Sequence, residues 1–138
     1  MEEVKLHLEK AYTKLNSARI LYENKSYEDS VSRAYYSMFH AAKAVLLLKG
    51  IKPKKHKSVI QKFGLEFVNE GYVSEMLGKA FSTAKEDREY AEYDVYVEIS
   101  QEEAEITIND AELFLEAIEN VVEDLEKNKI TVKEEKEA

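Results

Sequence analysis

The chain has 138 residues, of which 44% are hydrophobic and 35% charged, and it contains no cysteine. These proportions describe one folded domain with its own core, and they exclude a disordered chain, disulfide bonds and thiolate zinc sites. The net charge of −8 argues against a protein that coats nucleic acid by bulk electrostatics, so any contact with a polyanion must be local.

Four glycines and one proline interrupt the chain, which predicts long helices rather than many short strands. The longest uncharged apolar stretch, residues 44–48, is far shorter than the ~20 residues that span a bilayer. The first residues are acidic and lack an apolar signal core. We therefore expect a cytoplasmic protein with no membrane contact.

The first two predicted helices run from about Glu2 to Asn24 and from about Tyr27 to Lys49. Apolar residues recur along the first at steps of four and three. Ser26 is expected to cap the second helix, and Gly50 to end it in a left-handed conformation. The apolar surface of the second helix is wider than one face, which places it at the centre of a bundle or at a subunit interface.

Three further helices are predicted. The third is predicted over Lys57–Glu70 and the fourth over Val73–Arg88 or slightly beyond, whereas residues 90–97 fit no clean period. A capping box, Ser100 followed three residues later by Glu103, begins the last helix, which is expected to end near Lys127.

Short loops between helices of similar length predict an all-α, up-and-down antiparallel bundle of four or five helices. It forms one domain over residues 1–128, followed by a charged flexible tail over 129–138. A di-iron centre needs Glu-x-x-His pairs, and neither His40 nor His56 is preceded by glutamate at that spacing. We expect no metal and no cofactor.

Two polar groups are candidate ligand-binding sites. Arg33 and His40 share one line of the second helix, either as a polar seam paired inside the bundle or as the wall of a polar pocket. Lys54, Lys55 and His56 surround the beginning of the third helix, where free amides favour anions, so this loop is either a phosphate site or a solvated loop.

The run from Arg88 to Asp94 is the third candidate. An arginine at a helix end, followed by Tyr93 and Asp94 in a non-periodic stretch, combines groups that hold phosphate or stack on bases. The alternative is an arginine bonded to helix carbonyls or to neighbouring acids. The residue pattern alone favours neither the ligand site nor the internally bonded arginine.

Several segments together resemble the HEPN superfamily (higher eukaryote and prokaryote nucleotide-binding), closest to its small stand-alone prokaryotic UPF0332 branch. The resemblance covers about residues 2–125. It is carried by Ala18–Tyr22, Tyr27–Ser30, Ser32–Leu46, His56–Val59 and Arg88–Asp94.

The resemblance implies a helical bundle that forms a homodimer and is often encoded beside a minimal nucleotidyltransferase in toxin–antitoxin-like systems. Catalytic members are metal-independent ribonucleases in which an arginine and a histidine are separated by four to six residues. Arg88 matches the arginine, but Tyr93, Asp94 and Val95 occupy the positions of the histidine. We therefore predict a module that binds a nucleotide, RNA or a nucleotidyltransferase without efficient catalysis. The alternatives are a ribonuclease that uses Arg88 and Tyr93, and a helical homodimeric scaffold.

Overall fold

The structure, a computed structural model, describes residues 2–137 of the chain and the side chains of residues 2–128. Its regular elements confirm the all-α prediction. They are α1 (Glu2–Glu23), α2 (Tyr27–Leu48), α3 (His56–Phe63), a π-helical turn (Gly64–Val68), α4 (Glu75–Tyr93) and α5 (Gln101–Glu137).

The four long helices run up and down. The Ser30 hydroxyl donates to the Ala18 carbonyl at 2.7 Å, and the Ser37 hydroxyl donates to the Ala11 carbonyl at 2.7 Å, so α2 lies antiparallel to α1. Side-chain contacts pair α4 antiparallel to α2, and α5 antiparallel to α1, in the same way. The short α3 lies between α2 and α4 in the chain.

Helix α2 is the centre of the bundle. It contacts α1, α3, α4 and α5, and fourteen of its 22 residues are buried. Its wide apolar surface, for which a subunit interface was the alternative, is therefore covered within the protein's own bundle. None of the described helices combines the length and apolarity that a membrane crossing requires.

Helix ends follow the sequence signals in part. The backbone N–H of Glu103 donates to the Ser100 hydroxyl at 3.1 Å, as the capping box predicts. Gly50 has a φ of 73°, and its N–H and that of Ile51 donate to carbonyls of the last turn, which confirms the left-handed end of α2. Ser26 precedes α2, but its side chain makes no capping bond, so that prediction is wrong.

Three helix boundaries differ from the predicted ones, and the first changes where Arg88 lies. Helix α4 continues to Tyr93, so Arg88 lies inside a helix and not at its end. The third helix changes at Gly64 into a π-helical turn, which the apolar spacing does not reveal. Helix α5 extends to Glu137, beyond the expected end near Lys127. The predicted flexible tail, residues 129–138, consists of residues whose side chains the structure does not describe. It stays a prediction.

Candidate functional site

Arg88 is held between α4 and α2 with most of its side chain covered. The side chain is 12% exposed. Its Nη1 donates to the Tyr36 hydroxyl at 2.7 Å and to a Glu92 carboxylate oxygen at 3.2 Å. The Ser32 hydroxyl donates to the other oxygen of Glu92 at 2.7 Å, so the carboxylate is anchored to α2 as well.

Two tyrosine rings orient the guanidinium. Its central carbon lies 5.3 Å from the ring centroid of Tyr35 and 5.1 Å from that of Tyr36, which is cation–π distance. Arg88 Nε is buried and has no hydrogen-bond partner among the described residues. A buried donor without a partner costs about 1–3 kcal/mol, so this arginine is poorly explained as a stabilising contact.

His56, the first residue of α3, completes the group. Its Nδ1 lies 2.9 Å from the Tyr35 hydroxyl, and its ring stacks on Phe39 with a centroid separation of 4.4 Å. It also meets the Tyr36 ring edge-to-face at 5.7 Å. Arg88 and His56, which are 32 positions apart in the sequence, therefore share the same two tyrosines.

Electrostatics keep the histidine neutral. Burial is the main cause that lowers the pKa of His56, and the positive charges of Arg88, Lys85 and Lys43 lower it further. Burial raises the pKa of the Tyr35 phenol, which therefore keeps its proton. Nδ1 is engaged with that phenol, whereas no described group bonds to Nε2 of His56. Nε2 is thus the nitrogen left for a ligand.

We call these six side chains the arginine cluster: Ser32, Tyr35, Tyr36, His56, Arg88 and Glu92. Sequence reasoning selected Arg88 and His56 for separate sites and did not select the other four. The available signals were the pair of adjacent tyrosines on an apolar helix and the spacing of four residues between Arg88 and Glu92.

Tyr93 and Asp94 do not join the cluster. Tyr93 is 77% exposed, and no contact links it to Arg88 within the described residues. Asp94 ends α4, and its carboxylate accepts a hydrogen bond from the backbone N–H of Tyr96 at 2.9 Å. The predicted grouping of Arg88 with these two residues is therefore not the arrangement observed.

Arg33 and His40 separate as well. Arg33 is exposed and has no hydrogen bond or ion pair in the described part of the chain. His40 faces α1, where its Nδ1 lies 3.2 Å from Nδ1 of His7. Burial, His7 and nearby lysines lower the pKa of His40 to about 4. The two residues therefore do not form one pocket wall.

The basic loop divides between two places. Lys54 lines a cavity next to α1 and Lys55 is exposed at the beginning of α3. His56 contacts Tyr35 and Tyr36, the two tyrosines that also contact Arg88. Lys49 is bonded to the π-helical turn, because its ammonium donates to the Glu66 carbonyl at 2.8 Å. No group of three or more carboxylates and imidazoles within residues 2–128 is arranged to hold a metal ion.

Comparison with known proteins gives the family. Residues 4–121 match the HEPN domain. The chain is 44% identical over 124 residues to a protein of Methanocaldococcus jannaschii named "Putative toxin", covering 90% of this chain and 92% of that protein. It is 38% identical over 113 residues to a UPF0332 protein of Thermotoga maritima, covering 82% and 86%, and 52% identical over 87 residues to a UPF0332 protein of Pyrococcus horikoshii, covering 63% and 61%. The chain belongs to the HEPN domain family.

Proposed function

We propose that this chain is a toxin-like HEPN module whose arginine cluster binds a phosphate group of RNA or of a nucleotide. The state of Arg88 carries the proposal. Two tyrosines hold the guanidinium in place, Nε has no partner among the described residues, and the only carboxylate on the guanidinium is the partly exposed one of Glu92. The name of the relative from M. jannaschii supports the toxin class.

A phosphate can compete with Glu92 for the guanidinium. The pair joins residues four apart on one helix, and the Glu92 side chain is 37% exposed. Phosphate carries more negative charge than one carboxylate and makes charge-assisted, often bidentate hydrogen bonds to arginine. The Tyr36 hydroxyl accepts from Arg88 and keeps its own proton to donate to a phosphate oxygen.

Substitution of Arg88 by methionine tests the binding role. Methionine keeps the apolar volume against Tyr35 and Tyr36 and removes the charge together with the unpartnered Nε. Affinity for a fluorescent single-stranded RNA and for ATP, measured by anisotropy and calorimetry, should fall about 10- to 100-fold. The melting temperature should change little.

Arg19→Met is the matched control, because Arg19 also pairs with a glutamate, Glu112, between α1 and α5. It should leave affinity unchanged. A loss of stability in Arg88→Met as large as the loss of binding would show that Arg88 is a packing residue. Unchanged affinity would remove the proposal.

The position of His56 favours a second function, metal-independent cleavage of RNA. Neutral Nε2 of His56 can take the proton of a ribose 2′-hydroxyl as its oxygen forms a bond to phosphorus, while Arg88 stabilises the charge on the phosphate. The bond from phosphorus to the 5′-oxygen breaks, and that oxygen takes a proton from water or from the imidazolium. The products are a cyclic phosphate and a 5′-hydroxyl.

Cleavage in the presence of a chelator distinguishes this function from binding alone. His56→Gln should lower the rate about 100-fold or more, whereas Tyr93→Phe should not change it. Because the pKa of His56 is lowered, the rate should fall only as pH drops below the ordinary range of histidine. A rate that depends on Tyr93 and not on His56 would instead favour the ribonuclease that uses Arg88 and Tyr93.

A protein partner is the third part of the proposal. Four large side chains after Arg88 are exposed: Tyr90 (59%), Tyr93 (77%), Val95 (90%) and Tyr96 (92%). Tyrosine-rich exposed patches are typical of protein interfaces. Acidic residues, among them Asp94, lie within the same stretch, so a partner with basic side chains fits better than a second acidic copy of this surface.

We assign that surface to a minimal nucleotidyltransferase, the partner that the family suggests. Tyr93→Ser/Tyr96→Ser should weaken a complex with such an enzyme in calorimetry and leave RNA binding intact. An unchanged complex would remove the assignment. The homodimer is a separate proposal, which light scattering of the wild-type protein tests directly.

A further inference from the structure

A second basic site lies between α1, the C-terminal half of α2 and the loop that follows. Its cavity has a volume of about 310 Å³. Lys43, Lys52 and Lys54 line it together with His7, and the apolar side chains of Leu47 and Ile51 form part of its wall. In a chain of net charge −8, this is a local excess of positive charge.

Few carboxylates oppose those lysines. Glu3 is the one acidic residue of the lining, and its carboxylate accepts from Lys52 at 3.3 Å. Lys43 and Lys54 make no ion pair within the described residues. The Lys43 ammonium lies 5.4 Å from the Phe39 ring centroid, which holds it near the cavity. Two ammonium groups are therefore left for an anion.

A stacked pair of histidines lies beside the cavity. The rings of His7 and His40 are 5.4 Å apart, and their Nδ1 atoms are separated by 3.2 Å. One of the two must donate and the other accept, so both nitrogens cannot carry protons at once. Burial lowers both pKa values, and the charges of Lys10 and Lys43 lower them further; Lys14 also acts on His40. Glu3 alone opposes this effect at His7.

We propose that this cavity binds a small phosphorylated molecule, with its phosphate between Lys43 and Lys54 and its apolar part against Leu47 and Ile51. Lysine is a common point-charge ligand for phosphate, and the volume is at the lower end of the range of about 300–1,000 Å³ found for small-molecule sites. Apolar walls beside clustered cations fit a ligand that is both ionic and partly apolar. None of the six residues of the arginine cluster lines this cavity, although Lys43 lies near both.

Binding of a phosphate in this cavity should change the NMR signals and the pKa of the two histidines. A phosphate among the lysines cancels part of their field and thus favours the protonated imidazole. In a nitrogen-15 NMR titration of the full chain with AMP at constant ionic strength, the His7 and His40 signals should shift saturably, and the pKa of His7 should rise. AMP should bind more tightly than inorganic phosphate, because phosphate alone leaves the apolar wall unused.

Paired lysine variants test the assignment. Lys43→Gln/Lys54→Gln should lower AMP affinity about 10- to 100-fold. Lys62→Gln/Lys79→Gln removes the same charge from exposed positions outside the cavity and should have no effect. AMP affinity is read from the His7 and His40 signals, which lie at this cavity and not in the arginine cluster, so this result is separate from the RNA-binding test.

Three results would overturn the proposal. One is equal affinity in the two double lysine variants. Another is a histidine shift that sodium chloride reproduces, since that is general screening. The third is equal affinity for AMP and for inorganic phosphate, which would leave the apolar wall without a role.

Discussion

At the scale of the residue, Glu92 is the group that competes with RNA in the proposed site. Its carboxylate accepts a hydrogen bond from Arg88, and in the proposed complex an RNA phosphate displaces it. Glu92→Gln keeps the side-chain shape and the bond from Ser32 but removes the repulsion. We expect affinity for single-stranded RNA to rise at least about 2- to 5-fold in fluorescence anisotropy, because the phosphate no longer has to break an ion pair.

Glu112→Gln is the control for that substitution, because it removes an equal charge from another arginine–glutamate pair. It should not change RNA affinity. Weaker RNA binding by Glu92→Gln would mean that the carboxylate itself belongs to the binding surface, and the proposed competition would then be wrong.

The candidate residues show what the sequence predicts at this scale. Arg88 and His56 were both selected because of their chemistry and their positions near helix ends. The grouping of Arg88 with Tyr93 depended on α4 ending near Arg88. Because the helix continues to Tyr93, the residue one turn beyond Arg88 is Glu92, and Tyr93 projects in another direction.

At the scale of the element, packing of α4 on the π-helical turn depends on a glycine. A Cβ built on Gly78 would lie 2.8 Å from Cγ2 of Val68, a stiff β-branched side chain. Gly64→Ala meets nothing within 4 Å and has no positive φ. We expect Gly64→Ala to be neutral or stabilising in urea denaturation, and Gly78→Ala to be less stable than Gly64→Ala by about 1–3 kcal/mol.

The two substitutions have the same chemistry, and both add one methyl group to a helical glycine. Equal stability in the pair would show that Val68 adjusts without cost and that the close approach has no structural role.

The π-helical turn itself was not predictable, because apolar steps of three and four fit an α-helix over the whole segment. The helix ends at Gly50 and Ser100 were predictable, since each depends on local chemistry.

At the scale of the molecule, contacts between residues far apart in the chain could not be predicted from the sequence. The all-α bundle follows from periodicity and sparse helix breakers. In contrast, Tyr36 meets Arg88 across 52 positions and Tyr35 meets His56 across 21, and neither distance can be inferred from one chain's pattern. The arginine cluster exists only because α2 is central and faces both α3 and α4.

The charge distribution of the whole molecule predicts how RNA binding responds to salt. Arg88 is in the cluster, and Lys85 and Lys43 lie close enough to lower the pKa of His56. If the proposed RNA complex neutralises these three cations, the magnitude of the slope should be about 0.7 for each, the value for single strands. The slope of log K against log salt, measured by anisotropy, should be about −2.

Arg88→Met should reduce the magnitude of that slope by about 0.7, and Lys62→Gln/Lys79→Gln should leave it unchanged. A slope steeper than about −5 would require many phosphate contacts across the surface. That is incompatible with a local site on a molecule of net charge −8, and it would move the RNA-binding surface away from the arginine cluster.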